Sequence, residues 1–132
     1  MKKFIALLLV AIMVFPVIVA IAETTPEYAY ELKNGINGKK NSAKAKKETN
    51  YRVATNHVIY LSRKLSNNDP VVTKVRRGDN GNPASSISNV KTAENYYPAY
   101  NQNEGVVGRK YYLKMQNTTG SSPVVVRGTF TP

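Results

Sequence analysis

From Glu23 onward the apolar positions of the chain recur at a spacing of two, the period of a strand whose neighbouring side chains point to opposite faces. The first such stretch, "ETTPEYAYELK", puts Tyr28, Tyr30 and Leu32 on one side, which suits a short strand or an extended arm. "NGING" breaks it at Asn34–Gly38, because Asn-Gly pairs adopt the left-handed backbone of tight turns. Five lysines then fall between Lys39 and Lys47, with Ala43 and Ala45 interleaved. That run is either a basic linker or an edge strand that lysines guard against aggregation, and the alternation favours the edge strand.

The β pattern strengthens in "NYRVATNHVIYLSR", where Tyr51, Val53, Thr55, His57, Ile59 and Leu61 share a predicted inner face and Arg52, Asn56 and Tyr60 the outer one. "SNNDP" turns the chain into "VVTKVRR", with Val71, Thr73 and Val75 inward, and "GDNGNP" makes the next turn. Between Ala84 and Asn95 the signal is weak, and a loop with one short strand at Ile87–Lys91 is expected. "NYYPAY" is extended ahead of Pro98. "RKYYLKMQN" and "PVVVRGTF" flank "TTGSS" and predict a closing hairpin with Tyr111, Leu113, Met115, Val124, Val126 and Phe130 inward. Short strands, closely spaced turns and no helical period define an all-β fold, a small antiparallel β-sandwich of six to seven short strands.

The N-terminus changes the picture of where this domain works. Met1-Lys2-Lys3, an uncharged apolar run from Phe4 to Val19, and small residues at the Ala-x-Ala spacing of Ala20 and Ala22 form a signal-peptide pattern, with cleavage expected between Ala22 and Glu23. The rival reading, an uncleaved anchor, is disfavoured by Pro16 and by the polar chain that follows at once. The expected organisation is a signal peptide over 1–22, an extended arm and turn over 23–38, and a sandwich over 39–132, with no membrane span after cleavage and a secreted location.

Cleavage removes Lys2 and Lys3, leaving 17 of the 19 basic residues against all 8 acids, so the exported domain carries about +9. Outside the cytoplasm such a charge favours anionic partners: wall polymers, wall precursors or lipid headgroups. It also imitates the footprint of a nucleic-acid binder, but export makes any such binding non-specific. With no cysteine, stability must come from packing, and the short Lys-Lys signal points to a bacterial product.

Strand geometry gives the tyrosines a role. A Tyr-Tyr doublet cannot be buried whole on a one-sided sheet, so one member of Tyr96-Tyr97 and of Tyr111-Tyr112 points outward. If the strands share one sheet, Arg52, Tyr60, Lys74, Arg76, Lys110, Tyr112, Lys114 and Arg127 form a face of cations and tyrosines suited to an anionic ligand. The bland alternative is a solvated outer face with tyrosine present for its β propensity.

No catalytic signature appears. The lone histidine, His57, is expected at a core or rim position, and Asp69 and Asp79 sit in turns where they cap backbone amides. "DNGN" lacks the acids of a calcium loop, and the Asn117-Thr118-Thr119 acceptor pattern has little meaning in a bacterial protein. Glu94 and Glu104 are the one acid pair left to consider, and nothing in the sequence brings them together. No metal, no cofactor and no enzymatic activity are expected.

"KKNSAKAKKETNYRVATN", "YYPAYNQNEGVVGRKYYLKMQN" and "VVVRGTFTP" resemble small secreted Gram-positive proteins of unknown function and, more faintly, the lactococcin-type bacteriocins. Lys40, Ser42, Ala43 and Ala45 match an early strand of that type. Tyr97, Ala99, Tyr100 and Asn101 match an aromatic-x-Ala-Tyr segment, and Gly108, Tyr111 and Tyr112 a Gly-x-x-Tyr-Tyr strand. Tyr97 and Phe130 stand where such proteins carry tryptophan. The resemblance implies a β-sandwich acting without catalytic residues at the Gram-positive envelope, on a wall precursor that bears pyrophosphate. Two functions follow as expectations: a cationic binding protein of the envelope, bacteriocin-like or not, or a structural or protein-interaction partner such as an immunity or matrix protein.

Overall fold

The computed structural model describes residues 25–34, 38–118 and 120–132, so the signal-peptide pattern and most of the Asn34–Gly38 turn lie outside the described residues. Among these residues nine strands follow in order: β1 (Glu27–Leu32), β2 (Lys40–Asn41), β3 (Ala45–Lys46), β4 (Thr55–Leu61), β5 (Val71–Arg77), β6 (Pro83–Val90), β7 (Asn95–Tyr96), β8 (Lys110–Gln116) and β9 (Val124–Thr131). They form two antiparallel sheets. One has four strands in the order β1-β9-β4-β7; the other has five, β2-β8-β5-β6 with β3 also on β8. Among the described residues no helix is long and apolar enough to cross a membrane.

The inner faces meet over one core. The four-stranded sheet contributes Leu32, Val58, Val124, Val126 and Phe130; the five-stranded sheet contributes Val71, Val75, Val90, Tyr111, Leu113 and Met115, all at 1% exposure or less. These are the alternating positions of each strand, as a half-buried sheet requires. Two seams close the sandwich. On one, Tyr30 Oη donates to the Asn41 carbonyl at 2.8 Å, tying β1 to β2. On the other, the chain after β7 leaves the four-stranded sheet through a Val53–Ala99 bridge and reaches the edge of β6 through Ser85–Tyr100.

Four expectations are corrected. β8 and β9 are not a hairpin: β8 pairs with β5 and β9 with β1 and β4, so Asn117–Pro123 arches from one sheet to the other. The inward sets are the ones alternation predicts, because the two inner faces look at each other. Asn117 anchors the arch, buried at 1% and donating through Nδ2 to the carbonyls of Leu32 at 3.3 Å and Ser122 at 2.8 Å, so its side chain is not offered as a glycan acceptor. In β4 and just before it the phase is reversed: Ala54, Asn56 and Val58 are buried, while His57 and Ile59 face solvent. Asn56 accepts from Tyr28 Oη at 2.6 Å, and a bulge between Val58 and Tyr60 turns both Ile59 and Tyr60 outward and returns Leu61 to the core. His57 instead lies beside Asn95, its Nδ1 in hydrogen-bond contact with the amide oxygen.

The weak segment is a full strand, β6, opened by Pro83 at its first position, where a missing N–H is tolerated. Its serines hide it from propensity reading; Ser85 Oγ accepts from Val75 N–H at 3.0 Å where the β5–β6 register shifts. Finally, the segment before Lys39 is integrated, with β1 paired residue for residue to β9 from Glu27–Thr129 to Leu32–Val124.

The lysine run is an edge. Lys40-Asn41 and Ala45-Lys46 pair with β8, with Ser42 donating its N–H to the Leu113 carbonyl at 2.8 Å and accepting the Leu113 N–H on Oγ at 2.9 Å. Lys47 turns inward, its ammonium 4.8 Å from the centroid of the Tyr100 ring.

Candidate anion-binding face

The cations predicted for one face lie on two. Lys74, Arg76, Lys110, Tyr112 and Lys114 project from the outer face of the five-stranded sheet, whereas Tyr60 and Arg127 pair on the outer face of the other. Arg127 stacks its guanidinium 5.2 Å from the Tyr60 ring centroid, so that ring already has a cation. Arg52 belongs to neither: Nη1 and Nη2 donate to the carbonyls of Glu104 at 2.6 Å and Asn101 at 3.0 Å, clamping a loop.

Register assembles the first face rung by rung. Asn41, Lys114, Lys74 and Ile87 stand opposite one another across β2, β8, β5 and β6. The rung toward the β8 C-terminus holds Gln116 and Val72, with Lys39 at its edge; the rung on the other side holds Tyr112 and Arg76. Together Lys39, Lys74, Arg76 and Lys114 surround a shallow groove of about 230 Å³ floored by Val72, Ile87 and Gln116, with no acid in its lining.

The electrostatics of this groove are unfavourable in the free protein. Lys74 and Lys114 are direct cross-strand neighbours, a position at which like charges repel. The Lys114 ammonium is held below its ordinary value by desolvation, and further by the charges of Arg76 and Lys39. Arg76 is pre-oriented, Nη1 donating to the Gly81 carbonyl at 2.8 Å. Four cations thus converge with no ion-pair partner among the described residues, one of them fixed by the "GDNGNP" turn.

The same turn shapes a second hollow of about 230 Å³ beside the first, lined by Asn41, Lys44, Asp79, Gly81 and Tyr112 among others. Gly81 sits at φ 71° with the Tyr112 hydroxyl closing over it, and Asp79 is taken by Arg77, whose Nη2 lies 2.5 Å from Oδ2. Tyr112 is half-buried and Tyr111 fully buried, and Tyr97 is exposed while Tyr96 packs on the core, so each doublet splits as strand geometry requires. Lys110 lies at the far end of the face, opposite Lys46 of β3.

By contrast, the larger groove of the other sheet, about 360 Å³, mixes Glu27 with Arg127 beside Ile59 and Ala29. Glu94 and Glu104 stay with different partners: Glu94 offers its carbonyl to Val58 N–H, while the Glu104 carboxylate takes Arg109 at 2.9 Å and Arg77 at 3.7 Å.

Sequence reading missed Lys39, Val72, Ile87 and Gln116. Lys39 was legible, two positions from Asn41 in the same alternation; Ile87 was concealed by its serine-rich strand. No protein-family model matches the chain, and no match is found among curated proteins or solved structures. The likeness to lactococcin-type bacteriocins therefore gains no support from these comparisons.

Proposed function

We propose that this is a secreted, cationic, non-enzymatic binding protein that holds an anionic component of the cell envelope on the outer face of its five-stranded sheet. The observation that carries the reading is the groove in which Lys39, Lys74, Arg76 and Lys114 converge with no acid in the lining. Bringing an anion there relieves the repulsion between facing lysines and adds the Arg76 guanidinium as a charged donor. The signal-peptide pattern supplies the location, and the charge of about +9 the long-range attraction.

Replacing Lys39, Lys74 and Lys114 by alanine should strongly weaken binding to intact Gram-positive cells at 0.1 M salt while leaving the thermal midpoint nearly unchanged, since all three side chains face outward. Unchanged binding would overturn the reading.

A second reading, a protein-interaction role, is favoured by β6. It ends its sheet and bears no charged residue over Pro83–Val90, and among the described residues its outer edge is bridged around Ala84–Ser86 by residues 99–101. Such an edge accepts a partner strand. A β6 partner captured equally well at high and low salt would favour this alternative.

A further inference from the structure

Between β7 and β8 the loop "NQNEGVVGR", residues 101–109, is built around a half-buried acid, Glu104. Glu104 Oε2 accepts from Arg109 Nη1 at 2.9 Å and from Tyr111 Oη at 3.2 Å. The Tyr111 hydroxyl in turn accepts the N–H groups of Gly105 and Val106, each at 3.0 Å. Gly108 N–H reaches the Lys47 carbonyl at 2.8 Å, and Arg52 clamps the carbonyls of Asn101 and Glu104. Three left-handed residues, Asn103, Gly105 and Gly108, bend the chain between these anchors. The Tyr100 ring packs so closely on Gly105 that a Cβ there would lie 2.7 Å from it.

Both arms are therefore fixed, and past the polar Asn101, Gln102 and Asn103 they hold two valines outward. Val106 is 43% and Val107 51% exposed, and a side chain at Gly108 would meet nothing within 4 Å. The loop's anchoring bonds run through Glu104, Tyr111, Arg52 and the backbone, so two valines in water add nothing to its own stability. The only acid of the loop is neutralised, whereas Arg52 and Lys110 at its base form no ion pair among the described residues.

We propose that this loop is a lipid-contacting tip: Val106 and Val107 enter the interfacial zone of an anionic bilayer while Arg52 and Lys110 meet its headgroups. A convex tip of two vicinal valines is far smaller than the roughly 800 Å² per partner of a stable protein interface. It suits a bilayer, where shallow apolar burial and non-specific charge attraction add. The inference is independent of the groove on the sheet, since no groove residue is needed for it.

The chain has no tryptophan, so Val107→Trp installs a single reporter. With vesicles of mixed phosphatidylglycerol and phosphatidylcholine its emission should shift to the blue and be quenched by brominated acyl chains, while an Ile59→Trp control stays solvent-like. The Val106→Asp, Val107→Asp double variant should lose about tenfold or more in partitioning to these vesicles. It should keep its thermal midpoint and its binding to soluble polyphosphate, which reads the groove separately. A reporter that remains solvent-like on bound vesicles would overturn the proposal, as would absence of binding to anionic vesicles at low salt. Loss of polyphosphate binding with insertion intact would instead count against the groove and leave the tip standing.

Discussion

Tyr111 joins the core to the loop that follows the crossing segment. Its ring is fully buried against Tyr100, 5.1 Å between centroids, and its hydroxyl serves two amides and one carboxylate. Tyr111→Phe keeps the packing but leaves Gly105 and Val106 N–H without that acceptor, a loss of about 1–3 kcal/mol by chemical denaturation. Asp69 is a second residue whose role follows from its bonds. Its carboxylate takes Ser66 N–H and Oγ and the Arg63 guanidinium, led by the Ser66 hydroxyl, and is held down to about 2. The unfolded carboxyl titrates near 3.9, so the stability this turn contributes is present above that pH and lost as pH falls through about 2. A nuclear magnetic resonance titration of Asp69 with a midpoint near 4 would contradict this. At this scale the sequence was readable where alternation ran undisturbed, as in the split of both tyrosine doublets. It was not readable at Asn56, because a buried asparagine depends on Tyr28, 28 positions away.

Among elements, β5, β8 and β9 announced their inner faces through valine, leucine and aromatic spacing, and the structure keeps every one of those positions inside. Their pairing was hidden. A hairpin and an arch between facing sheets bury the same alternate residues, and the anchor that selects the arch, Asn117 on the Leu32 carbonyl, links residues 85 apart. β4 was misphased by its bulge, and β6 was read only in part, as a short strand at Ile87–Lys91, because serines rather than branched apolar residues fill its first half. The β1–β9–β4 layer carries its own pH dependence. Gly128 stands between Tyr28 and Val58, where a Cβ would lie 2.3 Å from the His57 carbonyl and 2.6 Å from the Tyr28 hydroxyl, so the phenol fits only over glycine. Burial pushes the Tyr28 hydroxyl well above its ordinary value, with the Asn56 bond pulling partly back. The unfolded phenol loses its proton near pH 10 and the folded one does not, so this layer's stability should fall as pH rises above about 10. Tyr28→Phe should flatten that alkaline limb, and an unchanged limb would show that another group sets it.

For the whole molecule, net positive charge was plain from composition, but its distribution was not. Topology sends Lys74, Arg76, Lys110, Tyr112 and Lys114 to one face and Tyr60 and Arg127 to the other, and the first set adjoins the groove lined by Lys39, Lys74, Arg76 and Lys114. Exposed charge contacts of this kind weaken as the screening length contracts from about 10 Å at 0.1 M salt to 3 Å at 1 M. Which face binds an anion is decided most directly by mapping amide resonances of residues 23–132 during titration with soluble polyphosphate. The predicted shifts cluster on Lys39, Val72, Lys74, Arg76, Lys114 and Gln116 and fade with added salt. Shifts spread evenly over both sheets, or centred on Tyr60 and Arg127, would contradict an anion site on the five-stranded face.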